Sequence, residues 1–270
     1  MQQQTYRFEH HGVAGAVIRI LDDETLSLNE FLTPERQSDD AEDYEFAYTA
    51  AYINYSGKHV LVDAGFDPDT VPGALESLGI EPEEIDLVLL THADSDHIAG
   101  LLRQDGGLTY PNAEHVIGKM LWENLRKPET LALVPEERAP FFKRFVSTFE
   151  DKIRCCEDGE VVSEGIRFVL NHGHRVGHAV YEFSTAETPI VHTGDAFFHP
   201  VFAEHPDWVN RTDSLPEEAV ESRRQLVPQL AAVRTLIMSS HIPFPGLGYL
   251  RKSNAGYHWE TFRPMPKEEF

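Results

Sequence analysis

The chain has 270 residues, 41% of them hydrophobic and 25% charged, a composition that excludes disorder and collagen-like repetition and is large enough for a sizeable core. Lys plus Arg number 23 against 45 Asp plus Glu, and the formal charge of −22 repels polyanions, so nucleic acid is not an expected partner. Cys155 and Cys156 are sequence neighbours, which rarely reach disulfide geometry, and neither a leader at Met1-Gln2-Gln3-Gln4-Thr5 nor a bilayer-length apolar run is visible. A soluble cytoplasmic chain with no membrane partner is the expectation.

The predicted elements open with strands. Val13 to Leu21 is rich in β-branched residues, and Ala47 to Tyr55 and His59 to Asp63 flank Ser56-Gly57 as a hairpin. Val71 to Leu78 reads as a short helix ended by Gly79. Ile85 to Thr91 is nearly all apolar, as in a strand buried on both faces. From Trp122 to Phe149 the period becomes helical, with Phe141, Phe142, Phe145, Val146 and Phe149 forming an aromatic face suited to core packing or to a cap over a cleft.

Strand patterns return at Val161 to Val162, Ile166 to Leu170, Ala179 to Phe183 and Ile190 to Val191. Ser214-Leu215-Pro216-Glu217 reads as a capping box opening a helix to about Leu230, Leu236 to Met238 as a final strand, and 242–270 as irregular. The order, strands then helix twice over, predicts an α/β fold: one domain over 1–270 made of two similar halves, about 13–150 and 151–266, packed sheet on sheet with helices outside.

Seven metal-capable side chains stand where apolar strands stop. His92, Asp94, Asp96 and His97 occupy one six-residue stretch after the strand at 85–91, and His174, Asp195 and His241 follow three later strands. Crowded imidazoles and carboxylates need a cation to offset their mutual repulsion, and seven ligands suit two divalent ions.

These residues carry a resemblance to the metallo-β-lactamase superfamily. The pattern HxDxDH at 92–97, GHxxGH at Gly173 to His178, Gly194-Asp195 and a C-terminal strand ending near His241 appear in the family's order. The resemblance implies a four-layer αββα sandwich. It further implies one metal on His92, Asp94 and His174, a second on Asp96, His97 and His241, and Asp195 between them. His178, the second His of its motif, would give a supporting hydrogen bond, as would Asp63 in Leu61-Val62-Asp63-Ala64-Gly65; His172 and His192 are expected to pack or support.

The family's usual HxHxDH has His where this chain has Asp94. A carboxylate is a harder donor that shifts preference from zinc, the usual metal of the family, toward iron or manganese. Flavodiiron members carry an acidic residue at this place, which supports Asp94 as a ligand; the alternative is that Asp94 does not reach the ion, leaving a weak first site and a largely mononuclear centre. The expected chemistry is attack on a carbonyl or phosphoryl centre by water activated between two divalent ions, with Asp96 or a metal-bound water passing the proton to the leaving group.

Ala196 to Phe202 and Ile242 to Tyr249 are apolar, aromatic loops beside the ligands, which makes Phe197, Phe198, Phe202, Phe244 and Trp208 candidates for a substrate pocket. The His-x-Pro-Phe-Pro-Gly-Leu-Gly segment from His241 is similar to that of members grouped with quorum-quenching lactonases and methyl-parathion-type hydrolases. A hydrolase of lactones or related small esters is the leading expectation. Thioester or phosphotriester hydrolysis, and a non-hydrolytic centre for redox chemistry or ligand sensing, stay open because of Asp94. Oligomeric state is not readable from the sequence, although lactonases of this kind often dimerise.

Overall fold

Strands that are apolar on both faces need cover on both faces, and the chain meets that need with two sheets packed together and helices on the outer surfaces. The computed structural model describes residues 4–254 and 256–263. The first sheet contains β1 (Thr5–His10), β2 (Val13–Ser27), β3 (Asp43–Tyr55), β4 (Lys58–Val62), β5 (Leu87–Leu89), β6 (Glu114–Gly118) and β7 (Ile153–Cys156) in that spatial order. The first four pair antiparallel, and β4 to β7 run parallel. The second sheet contains β8 (Val161–Ser163), β9 (Ile166–Leu170), β10 (Ala179–Phe183), β11 (Ile190–His192), β12 (Leu236–Met238), β13 (Leu247–Ser253) and β14 (Gly256–Thr261), with β11 and β12 its parallel pair.

Period-two alternation sorts the side chains between layers. Ile53, Val60, Val62, Leu87 and Leu89 meet Phe168, Tyr181, Phe183, Ile190 and Met238 of the second sheet in the central core. Their neighbours Leu61 and Val88 point outward, under α1 (Thr70–Ser77), α3 (Lys119–Leu125) and α5 (Ala139–Phe149). This double burial is why 87–90 reads as an unbroken apolar run. On the other side α7 (Pro216–Ala232) places Leu226, Val227 and Leu230 against Val180, Val191 and Ile237. The aromatic face of α5 is core: Phe142, Phe145 and Phe149 lie buried with Trp122 and Leu121. The remaining helices are short: α2 (Ser95–Ile98), α4 (Pro128–Leu133) and α6 (Pro200–Glu204). No helix among the described residues is long and apolar enough to cross a membrane.

Three sequence expectations are corrected. Strand β7 joins the first sheet, because the crossover through α3 to α5 returns it parallel to β6, so that sheet ends at Cys156 and not near 150. The region 242–270 is not wholly irregular: β13 and β14 form a hairpin on the edge of the second sheet, with Leu250 and Trp259 buried. Its aromatic and glycine content serves close packing, since Gly248 lies against the Trp259 ring; 264–270 fall outside the described residues. Ser214 does not cap α7. Its hydroxyl accepts from Arg175 and its N–H donates to the His174 carbonyl, which ties the helix entrance to a ligand loop.

The loop that follows β5 is seated on the loop that follows β4. The Ala64 N–H donates to the His97 carbonyl at 2.7 Å, and the Gly100 N–H to the Gly65 carbonyl at 2.8 Å. A Cβ at Gly100 would overlap the Ala64 carbonyl. Gly100→Ala is therefore expected to cost about 1–3 kcal/mol, read as a lower melting temperature. Gly73→Ala in α1, where a Cβ meets nothing within 4 Å, is expected to be neutral or to stabilise.

Candidate metal centre

The seven predicted ligands arrive from four strand ends on one edge of the sandwich. His92, Asp94, Asp96 and His97 follow β5, with α2 folding Asp96 and His97 back toward the sheet. His174 follows β9, Asp195 follows β11 and His241 follows β12. All four histidines and Asp195 are buried.

Asp195 lies at the centre. Its Oδ2 stands 3.4 Å from His92 Nε2, 3.3 Å from His174 Nε2 and 3.1 Å from His241 Nε2, and its Oδ1 stands 3.3 Å from His97 Nε2. Asp96 Oδ2 is 3.2 Å from His97 Nε2 and 3.4 Å from His241 Nε2. Asp94 Oδ2 is 3.6 Å from His92 Nε2 and 3.8 Å from His174 Nε2. The groupings His92–Asp94–His174 and Asp96–His97–His241 thus form around one shared carboxylate.

This donor set fits divalent ions. Nε2 of His92, His97 and His174 and Oδ1 of Asp195 are buried with no hydrogen-bond partner, a costly arrangement unless those lone pairs have another use. Donor atoms about 2.0–2.1 Å from a tetrahedral ion stand roughly 3.3 Å from one another, close to the separations above.

Every ligand imidazole is oriented by its other nitrogen. His92 Nδ1 donates to Thr91 Oγ1 at 3.0 Å, His97 Nδ1 to Asp63 Oδ2 at 2.7 Å, His174 Nδ1 to Asp213 Oδ1 at 3.2 Å and His241 Nδ1 to the Ala47 carbonyl at 2.8 Å. Asp63 is held in the left-handed region (φ 60°) and also accepts from the Thr91 N–H and hydroxyl. That strained turn aims one buried carboxylate at the metal loop. His178 holds the central carboxylate's backbone: the Asp195 N–H donates to Nε2 at 3.1 Å, while Nδ1 donates to the Asn171 carbonyl. His172 and His192 accept from the N–H groups of Gly177 and Gly194, and so shape the two loops without joining the cluster.

The electrostatics follow the geometry. Burial opposes the charged form of Asp195, yet His241, His97 and His92 hold its pKa well below the usual carboxylate range. Burial likewise opposes charge on His97, but Asp195, Asp96 and Asp63 raise it well above an ordinary imidazole. His178 goes the other way, because burial and then the neighbouring His92 and His174 keep it neutral and able to accept the Asp195 N–H.

Several residues that sequence reasoning missed complete the site. Asp213 stands in an irregular segment with nothing nearby to mark it. Its partner Arg223, almost fully buried, did leave a signal, since it occupies the apolar stripe of α7 with Ala219, Val220, Leu226 and Val227. Arg175 grips Asp94, the position that departs from the family pattern. Phe46 stacks on the His241 ring at 4.4 Å and Tyr48 meets it edge-on at 5.4 Å.

The proposed pocket phenylalanines separate. Phe198 lies against the rings of His241 at 4.8 Å and His174 at 5.1 Å. Phe197 points the opposite way, into the core beneath α7, and Phe202 packs with Phe31 and Tyr44 behind the site. Phe244 packs on Tyr6 and under Arg19, and Trp208 between His205 and Arg36. Among the described residues the aromatic wall of the centre is therefore Phe46, Tyr48 and Phe198. A cavity of about 1350 Å³ bordered by β1 and β14 contains none of the seven candidate ligands, and the concentration of unpartnered donors makes the histidine cluster the candidate site.

The family model described as "Metallo-beta-lactamase superfamily" matches residues 44–237, more than half of the chain. Among solved structures, the hydrolase AbOPH of the beta lactamase superfamily aligns with a TM-score of 0.81 at 22% identity, covering 98% of this chain and 99% of that one. AidC, described as a dizinc quorum-quenching lactonase, aligns with a TM-score of 0.81 at 20% identity over 97% and 98%. At such identities the shared property is the fold. The exodeoxyribonuclease WalJ of Streptococcus pneumoniae is 30% identical over 95 residues, 34% of this chain and 33% of that protein. The chain spans a third or less of the length of the first curated relatives it matches.

Removing the Asp63 carboxylate leaves His97 without its orienting partner. Asp63→Ala is expected to lower metal retention about 10–100-fold, measured by elemental analysis after dialysis against a competing chelator. Retention equal to the unsubstituted chain would show that His97 needs no such support.

Proposed function

Because the chain belongs to the metallo-beta-lactamase superfamily, many of whose members are metal-dependent hydrolases, we propose that it is a dinuclear hydrolase of lactones or related small esters. One observation carries the reading: the three orphaned imidazole nitrogens and one orphaned carboxylate oxygen converge beside an aromatic wall. His92, Asp94 and His174 would hold one divalent ion, Asp96, His97 and His241 the other, and Asp195 both. When bound, such ions lower the pKa of water and polarise a carbonyl oxygen. Zinc suits the imidazole-rich set, while the carboxylates of Asp94, Asp96 and Asp195 also suit iron or manganese.

The remaining roles belong to the chain. Asp195, buried and anionic, fixes the four imidazoles around one point. Asp195 is buried and Asp94 is held in the fork of Arg175, whereas Asp96, with 15% of its side chain exposed and no Lys or Arg paired with it among the described residues, would take a proton from water and give it to the leaving alkoxide. Phe46, Tyr48 and Phe198 present an uncharged surface that excludes water from the His241 side and receives an acyl or ring portion. Burial, together with Glu24 and Asp96, pushes the Tyr48 phenol up to about 12, so it stays neutral and keeps the proton it donates to Glu24.

The net charge of −22 and the aromatic wall support a small uncharged substrate over a polyanion. The lactonase AidC on the same fold supports the ester class. The likeness to an exodeoxyribonuclease supplies the competing reading, phosphodiester hydrolysis. A panel of lactones, aryl esters, thioesters, phosphotriesters and a DNA oligonucleotide, assayed with zinc, manganese and iron, tests the assignment. Turnover of lactones or esters is expected, with Asp96→Asn lowering kcat at least about 100-fold. Cleavage of DNA with lactones untouched, or oxygen consumption without hydrolysis, would overturn it.

A further inference from the structure

The two triads have similar ligands but different charges around them. Asp94, the carboxylate of the first triad, sits in the fork of Arg175: Nε donates to Oδ1 at 2.9 Å, and Nη2 pairs with Oδ2 at 2.6 Å. Asp213, which orients His174 of the same triad, is gripped by Arg223 through Nη1 at 3.0 Å. In the second triad Asp96 faces His97 and His241, and Asp63 is bonded by His97 and Thr91. Among the described residues no Lys or Arg pairs with Asp96 or Asp63.

Asp195 is common to both triads and drops out of the comparison. The first triad with its support is then formally neutral, two carboxylates against two guanidinium groups, whereas the second carries two carboxylates with no Lys or Arg paired to either among the described residues. Neither arginine can swing aside when a cation arrives. Arg175 is further tied to the carbonyls of His174 and Thr212 at 2.8 Å each and to Ser214 Oγ at 3.2 Å. Arg223 is buried and also donates to the Trp208 carbonyl. Ligand charge is a main lever on the affinity of a site for a dication, and at these separations a guanidinium repels it directly. A carboxylate already held by a fork of two N–H groups is also a poorer donor to a metal.

We infer that the two sites are unequal: Asp96–His97–His241 takes its ion first and retains it, while His92–Asp94–His174 holds the other weakly and exchanges it, with Arg175 setting the difference. This rests on the dinuclear reading above. It makes Arg175 a positioning residue for Asp94 whose cost is a weaker first site.

The test is a titration of the chelator-stripped chain with Zn²⁺, and separately with Mn²⁺, followed by calorimetry and by elemental analysis after desalting. Two events separated at least about tenfold in Kd are expected. Asp94→Asn should keep the tight event and lose the weak one. Arg175→Gln should strengthen the weak event about tenfold and narrow the gap. Two equal events in the unsubstituted chain, loss of the tight event in Asp94→Asn, or an unchanged gap in folded Arg175→Gln would overturn the inference. Should Arg175→Gln fail to fold by circular dichroism, the other two chains decide the matter. A chain that retains neither metal would instead sink the dinuclear reading itself, which separates the two failures.

Discussion

Four imidazole nitrogens within 3.4 Å of the carboxylate of Asp195 form the contact on which the rest of the site depends. Taken alone such a cluster is unfavourable, because buried lone pairs face one another with no protons enough to satisfy them. The fold holds it together by spending backbone and side-chain hydrogen bonds on the far side of every ring. Thr91, Asp63, Asp213 and the Ala47 carbonyl each fix one Nδ1, and His178 fixes the Asp195 backbone.

That arrangement explains why the supporting loops are built so tightly. Asp63 sits in the left-handed region, and Gly100 approaches the Ala64 and Gly65 backbone too closely for a side chain. The segment around Asp213 is tied by Arg175 to the His174 loop and by Arg223 to α7. Preorganisation of this kind is what binding two cations of like charge requires, since loops free to relax would separate the ligands. The two arginines also give the site a gradient of charge, from a neutral triad at His174 to an anionic one at His97.

The aromatic wall follows from the same scaffold. The aromatic wall is supplied by β3, through Phe46 and Tyr48, and by the loop after β11, through Phe198. Alternation decides which neighbour faces the centre: Phe198 meets the ligand rings while Phe197, one residue earlier, fills the core. Phe31 stacks behind Phe46, so the wall is braced by residues that never reach the histidines.

What the sequence by itself determined was the layering and which metal-capable side chains would stand together at the strand ends. Metal-capable residues at strand ends, and apolar runs with period two, are local signals because each reports its own strand's burial and terminus. The β13–β14 hairpin was hidden, since its glycines and aromatics mimic a loop until Gly248 is seen packed on Trp259. Asp213 and Arg175 were hidden for a different reason, and Arg223 showed only as a charge in the apolar stripe of α7, without its partner. Their meaning lies in partners 39, 81 and 10 positions away, at His174, Asp94 and Asp213 respectively, and only the folded chain brings such groups into contact. The tertiary structure alone therefore decided the charge balance around each triad, because a charge acts through distance in space and not through spacing along the chain.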